Sequence, residues 1–196
     1  MKVVIIKYNA GNIHSVLTAL ERIGVRATVT DDPDTIKSAD KVIFPGVGEA
    51  SSAMAYLRQQ GLDLLITSLT QPVLGICLGM QLMCKQSDEN NTTCLGIFET
   101  QVRKFSSDFG FKVPQIGWNT ITDLKSVLFE GIKPGEYLYF VHGYYVSSCN
   151  ETIATATYTH PYSAAIQKNN FYAVQFHPEK SGDAGQKILE NFILKT

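Results

Sequence analysis

Over the first half of the chain, apolar and polar positions switch repeatedly between two periods. Lys2–Tyr8 holds an unbroken apolar run, Val3-Val-Ile-Ile6, of the kind a strand buried on both faces carries. Asn12–Gly24 then places Ile13, Val16, Leu17, Leu20 and Ile23 at helical spacing before a terminal glycine. The unit recurs. Ala27–Thr30 reads as a strand, Asp34–Ser38 as a short helix and Lys41–Phe44 as a strand. Ala50–Leu69 reads as one or two helices broken near Gly61, and Val73–Ile76 as a strand that runs into another helix. This alternation predicts an α/β fold, a doubly wound and mostly parallel sheet covered on both faces, with sites at the C-terminal ends of its strands.

From about Cys94 the texture changes to short β-rich runs, Leu95–Phe105, Val113–Thr122, Glu136–Val146 and Thr152–Tyr158, which read as antiparallel. Ser163–Lys168 and Phe171–Phe176, separated by Asn169-Asn170, read as a hairpin. A last amphipathic helix, Ala184–Lys195, turns Ile188, Leu189, Phe192 and Ile193 inward. With 196 residues and no linker or repeat, a single domain over 1–196 is expected.

Charge narrows the partners. Seventeen basic against 18 acidic residues leave a net charge of -1, which offers no footprint for nucleic acid or an anionic membrane and suits a small neutral or zwitterionic ligand. The N-terminal apolar run is too short for a signal peptide or a span, so a cytoplasmic protein is expected. Four irregularly spaced cysteines, Cys77, Cys84, Cys94 and Cys149, form no disulfide framework or metal motif, and reduced thiols are the expectation.

One of the four has a special setting. An apolar strand runs into Gly75-Ile-Cys77-Leu-Gly79 and then a helix, the G-x-C-x-G form of a nucleophile elbow. A sharp strand-to-helix turn exposes the central side chain, flanking glycines keep neighbouring Cβ atoms away, and a helix N-terminus favours thiolate. Against this stands the commoner fate of a cysteine ending a buried strand, which is plain core; Cys84, Cys94 and Cys149 read that way. Near the C-terminus an apolar strand ends in His177-Pro178-Glu179. Proline holds its predecessor extended, and side chains two apart on extended backbone point the same way, so the carboxylate can fix one imidazole nitrogen while the other meets a nucleophile. Alone, that run reads as well as a surface histidine beside a loop acid. A returning strand would bring it to Cys77 and complete a Cys-His-Glu triad. His14, His142 and His160 have no such neighbour.

Pro45-Gly-Val-Gly48 lies between a strand and a helix. It matches neither phosphate-binding glycine motif. An oxyanion hole built from the N–H of Val47 or Gly48 and that of Leu78 fits better, at about 3–4 kcal/mol per donor, while a plain turn stays open.

These segments together resemble the class I (triad) glutamine amidotransferases: Pro45-Gly-Val-Gly48, Gly75-Ile-Cys-Leu-Gly-Met-Gln81, Phe140-Val-His-Gly-Tyr-Tyr145 and Gln175-Phe-His-Pro-Glu-Lys-Ser181. Tyr8-Asn-Ala-Gly-Asn12 and Pro114-Gln-Ile-Gly-Trp-Asn119 resemble the branch that feeds ammonia to a cyclase in histidine biosynthesis. The resemblance implies a flavodoxin-like fold and a triad of Cys77, His177 and Glu179 acting on L-glutamine. It also implies that Gly48 and Gln81 contact the glutamine, and that backbone around His142, Gly143 and Tyr144 holds its α-amino and carboxylate ends. The implied partner is a cyclase subunit of barrel fold, forming a heterodimer and faced by Asn12, Trp118 and Lys180. No cofactor and no metal are expected. Two positions depart from the pattern: Asn9 where glycine is usual and Gly143 where serine is. The rival readings are another triad amidotransferase, a cysteine hydrolase of peptides or γ-glutamyl conjugates, and a scaffold that keeps the fold without chemistry.

Overall fold

The computed structural model describes residues 1–8, 12–107 and 110–196, so the departure at Asn9 lies outside the described residues. Its parallel half is built as the apolar runs dictate. Strand β1 (Val3–Ile6) is followed by helix α1 (Ile13–Arg22), β2 (Ala27–Thr30), the short α2 (Pro33–Lys37) and β3 (Lys41–Gly46). Then come α3 (Ala50–Gln59), α4 (Leu62–Thr67), β4 (Val73–Cys77) and α5 (Leu78–Met83). The break between α3 and α4 falls at Gly61, whose φ of 66° is one that a side chain resists.

Because successive side chains of a strand point to opposite faces, β1 feeds two cores at once. Val3 and Ile5 pack with Val16 and Leu20 of α1 and with Ile188, Leu189 and Phe192 of α6 (Gly182–Lys195). Val4 and Ile6 pack on the other face with Met54 and Leu57 of α3 and Leu65 of α4. Helices thus cover both faces, and Ile188, Leu189, Phe192 and Ile193 are buried as their spacing implies.

After α5 the chain runs through β5 (Cys84–Ser87), β6 (Thr92–Thr93), β7 (Phe98–Lys104), β8 (Gln115–Ile121) and β9 (Glu136–His142). It closes with β10 (Tyr144–Val146), β11 (Thr152–Thr157), β12 (Pro161–Lys168) and β13 (Phe171–Val174). The main sheet runs β2-β1-β3-β4-β13-β12-β10-β7-β5-β6, with β11 pairing β12. β2, β1, β3, β4 and β13 are mutually parallel, while β12 returns antiparallel to β13 through the hairpin at Asn169-Asn170.

Three details differ from the sequence reading. β5 is an added strand, and it pairs parallel with β7, so the Leu95–Phe105 run is not purely antiparallel. Its residues, Cys-Lys-Gln-Ser, carry no apolar run that would announce a strand. The Glu136–Val146 run is split at Gly143: β9 pairs β8 in a separate two-stranded sheet, and β10 joins the main sheet. Pro178–Lys180 is a 3-10 turn rather than extended chain, because the chain turns there to enter α6.

Candidate active site

The ends of β3, β4 and β13 meet at one edge of the sheet. Gly46 is the register partner of Cys77, and Val174 that of Ile76, so the loop after β3 and the segment after β13 flank the cysteine. Cys77 takes φ 54° and ψ -109°, a left-handed conformation that a side-chain-bearing residue adopts only under strain, as an elbow requires. The glycines around it allow close approach. A Cβ at Gly79 would land on the Phe44 carbonyl oxygen, so only glycine lets α5 start against β3.

His177 follows β13 and is tied by its own N–H to the Tyr139 carbonyl at 2.9 Å. Its Nδ1 lies 2.8 Å from Oε1 of Glu179, with side chains only 4% and 1% exposed. The pair forms across the 3-10 turn, not along extended backbone, which corrects the geometry expected above. Ser181 secures the turn, donating to the His177 carbonyl at 2.6 Å and accepting from Tyr139 N–H at 2.9 Å. Burial pulls the His177 pKa down, but hydrogen bonding to Cys77 and Glu179, with their negative charge, overrides it and raises the ring to about 10. The ring therefore faces the sulfur on one side and the carboxylate on the other.

His142 behaves oppositely. Burial drives its pKa down to about 4, a direction the nearby His177 charge reinforces and the bond to the Tyr144 carbonyl (2.7 Å) opposes. It stays neutral, with Nε2 toward the Tyr162 hydroxyl at 3.3 Å. A Cβ at Gly143 would meet only ordinary contacts at 3.8 Å from Val113 and Pro114, so the departure there costs the site no space.

A cleft of about 540 Å³ opens over the cysteine. Of the residues singled out in the sequence, Val47, Gly48, Cys77, Leu78, Gln81, His142, Gly143, Tyr144, His177 and Lys180 all line it. Lys180, expected toward a partner, thus stands at its wall. Glu179 lies behind His177 instead. Asn12 is not merely on the outer surface: its Nδ2 donates to Glu179 Oε1 at 3.4 Å, while Ser15 Oγ donates to Asn12 Oδ1 at 2.6 Å and so fixes the amide. Trp118 is away from the cleft, 57% exposed on β8 and packed edge-on to Tyr139.

Glu89 and Lys104 also line the cleft and were missed. Glu89 accepts from Ala50 N–H at 2.7 Å at the start of α3, and burial raises its pKa. It lies in Asp88-Glu-Asn-Asn91, where no periodicity marks a site. Gln175, wholly buried beside Cys77, precedes the His177-Pro-Glu179 run at a position whose spacing marks no role.

A doubly wound sheet with a strained cysteine facing a histidine–glutamate pair defines a class of proteins. The chain belongs to the class-I glutamine amidotransferase family, whose sequence profile, "Glutamine amidotransferase class-I", matches residues 4–196. More particularly, it is 58% identical over 194 residues to "Imidazole glycerol phosphate synthase subunit HisH" of Bacteroides fragilis, covering 98% of this chain and 99% of that one. It is 48% identical to the subunit of the same name from Escherichia coli K12, with the same coverage. Among solved structures, a glutamine amidotransferase superposes with a TM-score of 0.74 at 19% identity, covering 97% of this chain and 99% of that one. PurLQS from Thermotoga maritima gives 0.72 at 15% identity, covering 98% and 97%. At those identities the likeness is one of fold.

Proposed function

We propose that the chain, acting as one domain in the cytoplasm, is the glutaminase subunit of an imidazole glycerol phosphate synthase. It hydrolyses L-glutamine and passes the ammonia to a cyclase subunit of barrel fold, its partner in a heterodimer. The observation that carries this reading is the strained Cys77 beside a buried His177–Glu179 pair at the floor of one cleft.

The arrangement of Cys77, His177 and Glu179 supports the proton transfers in this reading. With Nδ1 held by Glu179, Nε2 of His177 is the nitrogen left for the sulfur. A ring pKa raised to about 10 by its hydrogen bonds to Cys77 and Glu179 leaves His177 protonated at neutral pH. The thiolate adds to the amide carbon of glutamine, and the carbonyl electron pair moves to oxygen, where N–H groups of Val47 or Gly48 and of Leu78 receive it. As the C–N bond breaks, His177 gives its proton to the nitrogen and ammonia leaves a thioester. His177, now neutral, takes a proton from water, whose oxygen attacks the thioester; the sulfur departs as thiolate with glutamate released. His142, neutral at that pH, takes no part in proton transfer and holds the Tyr144 carbonyl instead.

Substrate charge is matched across the cleft. Glu89 suits the α-ammonium of a zwitterionic glutamine, and Lys104 its carboxylate. The β8–β9 face supports the partner reading: Ile116, Trp118 and Tyr137 are 64%, 57% and 59% exposed there, more apolar surface than a solvated hairpin usually shows. The test is mass measurement after a glutamine-mimicking electrophile, with and without the cyclase subunit. Label on Cys77, absent in Cys77→Ala together with glutaminase turnover, is expected. Undiminished turnover in that variant removes the proposal.

A further inference from the structure

The described residues hold one fully buried polar side chain that touches the reacting sulfur and that the mechanism above does not use. Gln175 is the first residue past β13. Since Val174 registers with Ile76, the next step along the parallel pair sets Gln175 beside Cys77, and its N–H to the Ala164 carbonyl (2.8 Å) anchors it from the other side. Its amide nitrogen lies 3.8 Å from the Cys77 sulfur.

Which end of the amide meets the sulfur follows from its neighbours. Gln81 presents one atom to the Tyr144 carbonyl at 3.1 Å, and a carbonyl only accepts, so that atom is the Gln81 nitrogen. The same nitrogen lies 3.0 Å from Gln175, which must answer with its oxygen. The Gln175 NH2 is left to point at Cys77. Turning either amide over would set two donors or two acceptors face to face in a site closed to water. Besides His177, the sulfur also meets the Val141 carbonyl at 3.7 Å, a contact of the reverse sense: it accepts from a thiol and repels a thiolate. Gln175 is therefore the neutral donor that opposes it.

We propose that Gln175 is a further catalytic residue, donating an N–H to the Cys77 sulfur so that the thiolate is favoured, with Gln81 and the Tyr144 carbonyl fixing its orientation. The proposal rests on Cys77 being the nucleophile. The titratable groups around that sulfur are His177 with Glu179 behind it and Tyr8 just past β1, whose burial and proximity to Cys77 raise its hydroxyl's pKa. Glu89, Lys104, His142 and Lys180 face it across the cleft.

The test follows Cys77 alkylation by iodoacetamide in the full chain, by peptide mass, across a pH series for the protein, Gln175→Leu and Gln175→Glu. Alkylation reports the sulfur whether or not glutamine is turned over, so its outcome is separable from that of the glutaminase reading. Losing one charge-assisted donor is expected to slow alkylation at neutral pH about tenfold and to move the half-rise up by about one pH unit. Gln175→Glu, which keeps the shape and adds negative charge, moves it further. In the cyclase complex, kcat falls about tenfold while KM for glutamine changes less than about threefold. Should the leucine variant not fold, the glutamate variant decides alone. Alkylation profiles that superimpose on that of the unsubstituted protein overturn the proposal.

Discussion

Glu179 Oε1 accepts from two sides, from His177 Nδ1 at 2.8 Å and from Asn12 Nδ2 at 3.4 Å, while its Oε2 is buried with no partner among the described residues. A carboxylate held this way keeps one imidazole tautomer and stabilises the charged ring. Replacing Glu179 by alanine should therefore lower glutaminase kcat by roughly 10²- to 10⁴-fold. Steady-state ammonia release in the cyclase complex measures it. A loss below threefold would mean that His177 is oriented by something else.

Protonation of the two buried histidines predicts opposite pH effects on stability. His177 has a folded pKa of about 10, above the ordinary 6.5, so its stabilisation is complete below 6.5 and is lost as pH rises toward 10. His142 has a folded pKa of about 4, below 6.5, so the unfolded chain binds its proton more readily and stability falls as pH drops from 6.5 to 4. Melting curves across the series should show the alkaline slope flattened in His177→Gln and the acid slope flattened in His142→Gln. Parallel curves for variant and parent would contradict both assignments.

Close approach at the elbow makes Gly79 a structural test. An added Cβ meets the carbonyl oxygen of Phe44, which belongs to β3 backbone and cannot swing aside as a side-chain tip would. Gly79→Ala is expected to cost at least about 3 kcal/mol in urea unfolding or to prevent folding. An unchanged midpoint would show that α5 can lift from the sheet.

The parallel half was readable because β1, β3 and β4 are buried on both faces, which leaves unbroken apolar runs and glycine-marked turns in the chain itself. Cys77 and His177 were readable for a related reason: each ends such a run. What escaped depends on distant pairings. β5 is a strand only because β7 lies beside it, and Gly143 divides one run between two sheets because β8 captures β9. Gln175 and Glu89 gain meaning from what the topology sets opposite them, the Cys77 sulfur and the α3 N-terminus, and no local spacing encodes that. The turn at Pro178 was misread since proline restrains only its predecessor's conformation, while the path after it is set by α6; a Cβ at Gly185 would strike the Pro178 carbonyl, so helix and turn are fitted to each other.

Trp118 separates folding from association. It registers opposite Tyr139, and with Ile116 and Tyr137 it shares the outer face of the β8–β9 ribbon, since alternate residues of each strand point the same way. Its ring is more than half exposed, so truncation removes little packing from the isolated chain, and Trp118→Ala should shift unfolding by no more than about 1 kcal/mol. If this face receives the cyclase subunit, the same ring becomes buried on binding, and large aromatics at such positions commonly contribute about 2 kcal/mol or more, roughly thirtyfold in Kd. Calorimetric titration of the variant with the cyclase subunit, beside its melting curve alone, reads both quantities. Weakened binding with an unchanged melt is the expected pair, whereas unchanged binding would move the interface off this ribbon and leave its exposed apolar side chains without a partner.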